Sequence, residues 1–220
     1  MPDPATPSAI KLALELYRDQ PRGVRAFVRA RHLLCPLSQI EPHVPTRGRI
    51  LDLGCGHGLF SALMAVSSRD RSILGVDPSP AKTAVAEALM ARLPNVRFYQ
   101  GGIDDVTEGG LDAVTIIDVL YLLPRDEKVR ILRRTRELLA PDGRLILKTN
   151  DTHPTWKYQV AKLQEKLMTG LHLTMGHGDL HFVGCQEQAG LLEEAGFRQV
   201  DVEHLDSRTP YPHTLFICPR

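Results

Sequence analysis

Arg49-Ile50-Leu51-Asp52-Leu53-Gly54-Cys55-Gly56-His57-Gly58-Leu59 is the stretch that decides the fold. Ile50 to Leu53 has the apolar content of a short buried strand. Glycine then recurs at every second position, Gly54, Gly56 and Gly58. Such a run lets the backbone turn sharply and approach a ligand with no Cβ in the way. Leu59 to Val66 carries the apolar residues of a helix that starts at that turn. Strand, glycine turn and helix N-terminus in succession form a ligand site at the carboxyl edge of a parallel sheet.

Working outward, Ser72 to Val76 reads as a second strand ending at Asp77. An acid at that tip is placed to accept hydrogen bonds from both ribose hydroxyls of an adenosine ligand. Pro78 and Ser79 follow it and open a helix over 80–93. Asn95 to Gln100 reads as a third strand, leading into Gly101-Gly102-Ile103-Asp104-Asp105. Asp112 to Ile117 reads as a fourth, with Asp118, Val119, Leu120 and Tyr121 at its carboxyl end, beside the same expected crevice. Arg125 to Leu139 has the apolar stripe of an amphipathic helix. A turn over 138–143 then enters a fifth strand through Leu147. Gln186 to Ala195 reads as a helix stopped by Gly196, and Val200–Leu205 and His213–Cys218 as two closing strands. Alternation of strand and helix through residue 149 gives a single doubly wound α/β sheet.

The glycine spacing is G-x-G-x-G, with Asp52 two positions ahead. Leu59 stands where a dinucleotide-binding G-x-G-x-x-G motif has its last glycine, which favours S-adenosylmethionine (SAM) over a dinucleotide. The stretch resembles the acidic-x-G-x-G-x-G motif of class I SAM-dependent methyltransferases. Leu138-Leu139-Ala140-Pro141-Asp142-Gly143 is similar to the L-L-x-P-G-G turn of that family, with Asp142 replacing the first glycine. The resemblance covers residues 46–150 by motif and the rest by order of elements. It implies a mostly parallel seven-stranded sheet with an antiparallel last strand and helices on both faces. It further implies that Gly54, Cys55, Gly56 and Gly58 pack against the methionine part of SAM, and that Asp52 reaches its amino group directly or through water. The family has a Gly-Asp pair whose acid bonds the adenine amino group, and this chain has Gly102 at the acid's position. Asp104 or Asp105 would then substitute, or the backbone of Ile103 would read the base alone. Asp118 and Val119 complete the expected cofactor contacts.

The 220 residues suffice for one α/β domain. We expect an N-terminal helical cap over 1–45 and a SAM-binding domain over 46–220 with a helical or loop insertion at about 151–185. Charge is balanced, 27 Lys and Arg against 26 Asp and Glu, so nothing global points to nucleic acid. No apolar run approaches the ~20 residues of a membrane span, and the N-terminus lacks a signal-peptide pattern, so a cytoplasmic address is expected. The four cysteines show no C-x-x-C spacing, and His172, His177 and His181 share no helix face, so no metal is expected. Arg22, Arg25 and Arg29 recur at helical steps. They read as a solvated face or as a basic surface for an anionic partner: a membrane surface, a phosphorylated substrate or an acyl carrier protein.

The expected reaction is transfer of the SAM methyl group to a small apolar, phenolic, polyketide or lipid-like acceptor. The alternatives are a nucleotide-dependent oxidoreductase on the same fold and a SAM-binding module without catalysis. The acceptor pocket is expected from the two N-terminal helices and residues 151–185, with Phe27, Trp156, Tyr158, Leu163, Leu167, Leu171 and Met175. A general base must follow a strand at the carboxyl edge. His153 ranks first, with Asp151 as orienting partner and Tyr121 behind them. His213 is a less direct candidate, and His57 is expected to face the helix or the cofactor.

Overall fold

The computed structural model describes residues 8–151, 181, 183–205 and 212–220. Seven strands form one sheet in the order β3-β2-β1-β4-β5-β7-β6. They are β1 (Gly48–Leu53), β2 (Arg71–Asp77), β3 (Val96–Gln100), β4 (Leu111–Ile117), β5 (Leu139–Asn150), β6 (Asp201–Leu205) and β7 (His213–Pro219). Pairings β1–β2, β2–β3 and β4–β5 are parallel, while β7 runs antiparallel to both β5 and β6. This is the expected doubly wound sheet with an antiparallel last strand. The chain divides into two compact units, up to Gly102 and from Ile103.

The first unit holds α1 (Ala9–Glu15), α2 (Arg22–Leu34), a single turn α3 (Leu37–Ile40), α4 (Leu59–Ser67) and α5 (Pro80–Glu87). Helix α4 is buried from Leu59 to Ala65, as suits a helix that is apolar all round. Ser8 occupies the N-cap of α1, but its hydroxyl makes no capping bond; its carbonyl accepts the Lys11 and Leu12 N–H groups instead. Helix α5 stops at Glu87, short of the expected residue 93. The Leu89 N–H turns back to the Ala86 carbonyl, and the chain tightens into a 3-10 turn over Met90–Arg92.

Arg71 opens β2 and is only 2% exposed. Its guanidinium donates to the carbonyls of Pro45 (2.7 Å), Met64 (2.9 Å) and Val44 (2.9 Å) and to Glu41 Oε1 (2.5 Å). One buried cation therefore fastens the segment that enters β1. The fork geometry of arginine suits this set of diverging acceptors.

The second unit holds α6 (Arg125–Leu138), β4 to β7 and α7 (Cys185–Glu194). Every residue of β4 except Asp112 is buried, the near-continuous apolar run of a strand covered on both faces. The expected turn at 138–143 is a bulge inside β5. Leu111 pairs with Leu139, and the next pair is Ala113 with Arg144. Gly143 is required there because a Cβ would lie 2.5 Å from the Leu111 carbonyl oxygen. Gly196, with φ 98°, ends α7 as expected. Strand β6 is exposed along almost its whole length, with Glu203 and His204 among its residues, a polar edge that discourages further strand pairing.

Candidate cofactor and active site

In the first unit β1 leads directly into the glycine loop. Gly54, Gly56 and Gly58 all have positive φ, at 75°, 56° and 81°, a region that glycine enters without steric cost. The Gly54 N–H donates to the Val76 carbonyl at 2.7 Å, and the Gly58 N–H closes a turn onto the Cys55 carbonyl at 2.9 Å. The Gly56 N–H donates to Asp77 Oδ2 at 2.9 Å. Asp77 Oδ1 accepts the Ser79 N–H at 2.9 Å. The acid at the tip of β2 thus grips the loop and the start of α5 together. Each oxygen takes one backbone donor and has a further lone-pair direction.

Gly56 and Gly58 of the loop differ in what they face. A Cβ on Gly58 would lie 2.7 Å from Phe98 Cζ, and one on Gly75 would lie 2.5 Å from Phe98 Cδ1. The Phe98 ring from β3 therefore fills the space under the loop, and these two glycines serve packing. A Cβ on Gly56 meets no protein atom within 4 Å. That opening lies beside an acid aligned by two backbone donors.

Asp52 is 2% exposed and accepts the Ser61 hydroxyl at 2.5 Å, so it ties the end of β1 to α4. Cys55 is half-buried; burial, with Asp52 and Asp77 adding, pushes its thiol well above the usual range. The His57 imidazole packs on Phe27, with ring centroids 4.8 Å apart and planes at 51°. Burial lowers its pKa, helped by Lys82 and opposed by Asp77. Pro78 lies between the two residues of the Asp77–Ser79 contact. Gly102 ends this unit and is half-buried.

In the second unit Ile103 is 3% exposed. Asp104 is exposed, and both its oxygens accept from Arg130 at 2.7 Å. Asp118 is the one non-glycine residue with positive φ among those described, at 57°. Such a conformation is sparsely populated and marks candidate functional positions. Lys148, 1% exposed, donates to Asp118 Oδ1 at 2.5 Å and to Asn150 Oδ1 at 2.9 Å. Asn150 Oδ1 also lies 3.1 Å from His213 Nδ1. A polar chain, Asp118–Lys148–Asn150–His213, therefore runs along the carboxyl ends of β4 and β5 to the start of β7. Sequence reading did not find it. Its signal was a lysine directly after the apolar run Leu145-Ile146-Leu147.

Tyr121 is 4% exposed, and its carbonyl accepts the His181 N–H at 2.8 Å. The His181 carbonyl in turn accepts from Lys128 Nζ. Asp151 is buried and its Oδ1 accepts the Cys185 N–H at 3.2 Å, a carboxylate at the N-terminus of α7. His153, Trp156, Tyr158, Leu163, Leu167, Leu171, Met175, His172 and His177 lie outside the described residues. Val119 precedes a 3-10 turn over Leu120–Leu122. Among the described residues no group of His, Cys, Asp and Glu is arranged to hold a metal, and no helix is long and apolar enough to cross a membrane.

A methyltransferase-domain family matches residues 50–143, the span from β1 through the β5 bulge. This stretch is similar in sequence to class I SAM-dependent methyltransferase domains. SAM is the methyl donor of that family. The domain is 34% identical over 120 residues to trans-aconitate 2-methyltransferase of Deinococcus radiodurans, covering 54% of this chain and 45% of that protein. It is 29% identical over 161 residues to ubiquinone biosynthesis O-methyltransferase of Xanthomonas axonopodis pv. citri, covering 72% and 66%. The chain thus spans about half to two thirds of the length of these curated relatives. Among solved structures, the SAM-dependent methyltransferase SibL in its apo form superposes with a TM-score of 0.72 at 21% identity, covering 90% of this chain and 57% of that one. At that identity the likeness speaks for the fold.

Proposed function

We propose that this chain transfers the methyl group of SAM to a hydroxyl oxygen of a small molecule, with a phenolic or similarly apolar acceptor. The observation that carries the reading is the bond from the Gly56 N–H to Asp77, beside the open space over Gly56. SAM brings its own leaving group in the sulfonium, so the protein's task is position and exclusion of water. In this reading the Asp77 carboxylate takes the ribose hydroxyls, Gly54 to Gly58 lie against the methionine portion, and Asp52 holds the amino group directly or through water. Ile103, Asp118 and Val119 remain the proposed contacts from the second unit, with Asp104 the weakest of the set because Arg130 engages both its oxygens. Oxygen as the acceptor atom is supported by the name of the Xanthomonas relative, an O-methyltransferase.

The proton of the acceptor goes to His153 in this proposal, with Asp151 orienting the imidazole and Tyr121 as the next candidate. Asp151 follows β5 directly and is buried there, two positions before His153. A base of this kind contributes about 10²–10⁴ in rate. His153→Ala should therefore lose turnover by that factor and retain SAM binding; near-normal turnover would remove His153 from the scheme.

A second element of the proposal concerns delivery. Arg22 and Arg29 on α2 are exposed and Arg25 half-exposed, and none of the three has an ion-pair partner among the described residues. That favours an anionic partner for this face, a membrane surface or an acyl carrier protein. Arg22→Glu with Arg29→Glu should weaken flotation with anionic vesicles or binding to an acidic carrier, most of all at low salt. Unchanged behaviour in both assays would return α2 to an ordinary solvated face.

A further inference from the structure

The glycine loop is held from outside by the N-terminal helices. Tyr17 follows α1 and is 2% exposed. Its hydroxyl donates to the His57 carbonyl at 2.7 Å. Burial, with Cys55 and Asp52 adding, pushes the Tyr17 phenol well up, so it stays a donor at any working pH. Phe27, on α2, packs on the imidazole of the same residue. His57 is thus gripped by its backbone from α1 and by its side chain from α2. It is flanked by Gly56, whose N–H is taken by Asp77, and by Gly58, whose N–H closes on Cys55.

Peptide planes between glycines of positive φ rotate at little steric cost, because glycine populates both signs of φ. A loop of three such residues takes one state only where hydrogen bonds fix individual peptides. The Asp77 bond fixes the Cys55–Gly56 peptide, and the Tyr17 bond fixes the His57–Gly58 peptide. The open space over Gly56 lies between those two fixed points.

We propose that Tyr17 and Phe27 are positioning residues that preorganise the glycine loop for SAM, so that docking of α1 and α2 and binding of the cofactor are thermodynamically coupled. Coupling of this kind is reciprocal. Loosening the clasp weakens the cofactor, and the cofactor tightens the clasp.

Tyr17→Phe removes the hydroxyl and keeps the ring. It should weaken S-adenosylhomocysteine and SAM about three- to tenfold by titration calorimetry, equal to about 0.7–1.4 kcal/mol. The measurement is made well below the melting temperature, where a residue that only stabilised the fold would lower Tm and leave Kd unchanged. Arg125→Ala is the control. Arg125 donates to Glu194 at 2.6 Å in an exposed pair that involves neither α1 nor α2. It should leave Kd within twofold of wild type. Added S-adenosylhomocysteine should slow amide exchange over 9–17 and 22–34 in wild type, and less so in Tyr17→Phe. If Tyr17→Phe does not fold, Phe27→Leu is read on the same two measurements. Wild-type Kd in whichever of these variants is read, or an equal loss in Arg125→Ala, would overturn the proposal. Wild type failing to bind either ligand would instead overturn the cofactor reading itself.

Discussion

Replacing Asp77 by Ala should disturb the fold and the cofactor together, by amounts that the geometry sets. The carboxylate accepts two backbone N–H groups, those of Gly56 and Ser79, each at 2.9 Å. A hydrogen bond to a charged acceptor contributes about 1.5–3 kcal/mol. Two such bonds would give about 3–6 kcal/mol, but Gly56 borders open space, where water replaces the lost oxygen. A net loss of about 2–4 kcal/mol in unfolding free energy follows. Asp77→Asn keeps one acceptor oxygen, which serves Gly56 or Ser79 but not both, so about half the loss is expected. For SAM and S-adenosylhomocysteine the ribose bonds disappear as well, and affinity should fall about ten- to a hundredfold. Urea unfolding of the free protein gives the first quantity and titration calorimetry gives the second. An Ala variant with the urea midpoint of wild type would show that the loop does not lean on this acid. An unchanged Kd would show that the ligand does not either.

Other consequences are open to measurement. Arg71→Met removes the charge that answers Glu41 and leaves three carbonyls without their donor; breaking a buried pair of this kind costs about 3–5 kcal/mol, readable as a large fall in urea midpoint, and a fall under about 1 kcal/mol would contradict the geometry. Gly143→Ala places a methyl group 2.5 Å from the Leu111 carbonyl, so the β5 bulge must shift, at about 1–3 kcal/mol; a Tm equal to wild type would mean that the bulge has slack. The lowered pKa of His57 means that, just below pH 6.5, the unfolded chain binds a proton there that the folded chain refuses. Stability should therefore fall as pH drops from 7 through that range, and His57→Gln should lose part of this slope; parallel pH profiles for the two proteins would contradict the shift. Burial pushes the Cys218 thiol up to about 12, so a thiol reagent at pH 8 should modify Cys218 only on unfolding, and labelling of the native protein at that residue would count against its placement.

Much of the first unit could be read directly because its signals are local. The apolar run, alternating glycines and an acid at the next strand tip lie within 30 residues and each has one physical meaning. Gly58 shows the limit of that reading. Its place in the motif was legible, but the Phe98 ring that requires a glycine there comes from a strand 40 residues away. The same holds for Arg71, whose acceptors are mostly backbone carbonyls and leave no trace in residue type. Lys148 was visible as a charge in an apolar strand, yet its partner Asp118 is identified only when β4 and β5 pair. The turn at 138–143 was recognised as a turn from Pro141, Asp142 and Gly143, and only sheet register shows it to be a bulge. The role of Tyr17 had no sequence signal, since it bonds a carbonyl 40 positions on.

The central claim is that a SAM cofactor held at the Gly56–Asp77 corner gives up its methyl group to a small hydroxylated acceptor. The direct measurement is incubation of the protein with trideuteromethyl-labelled SAM and a panel of catechols, hydroxyquinones and aliphatic hydroxy acids, followed by mass spectrometry of both products. The account predicts label on the oxygen of at least one phenolic acceptor, an equal amount of S-adenosylhomocysteine, and loss of both in Asp77→Ala. Label appearing on a carboxylate or a nitrogen instead would contradict the O-methyl acceptor. Wild-type turnover in Asp77→Ala would contradict the placement of the cofactor.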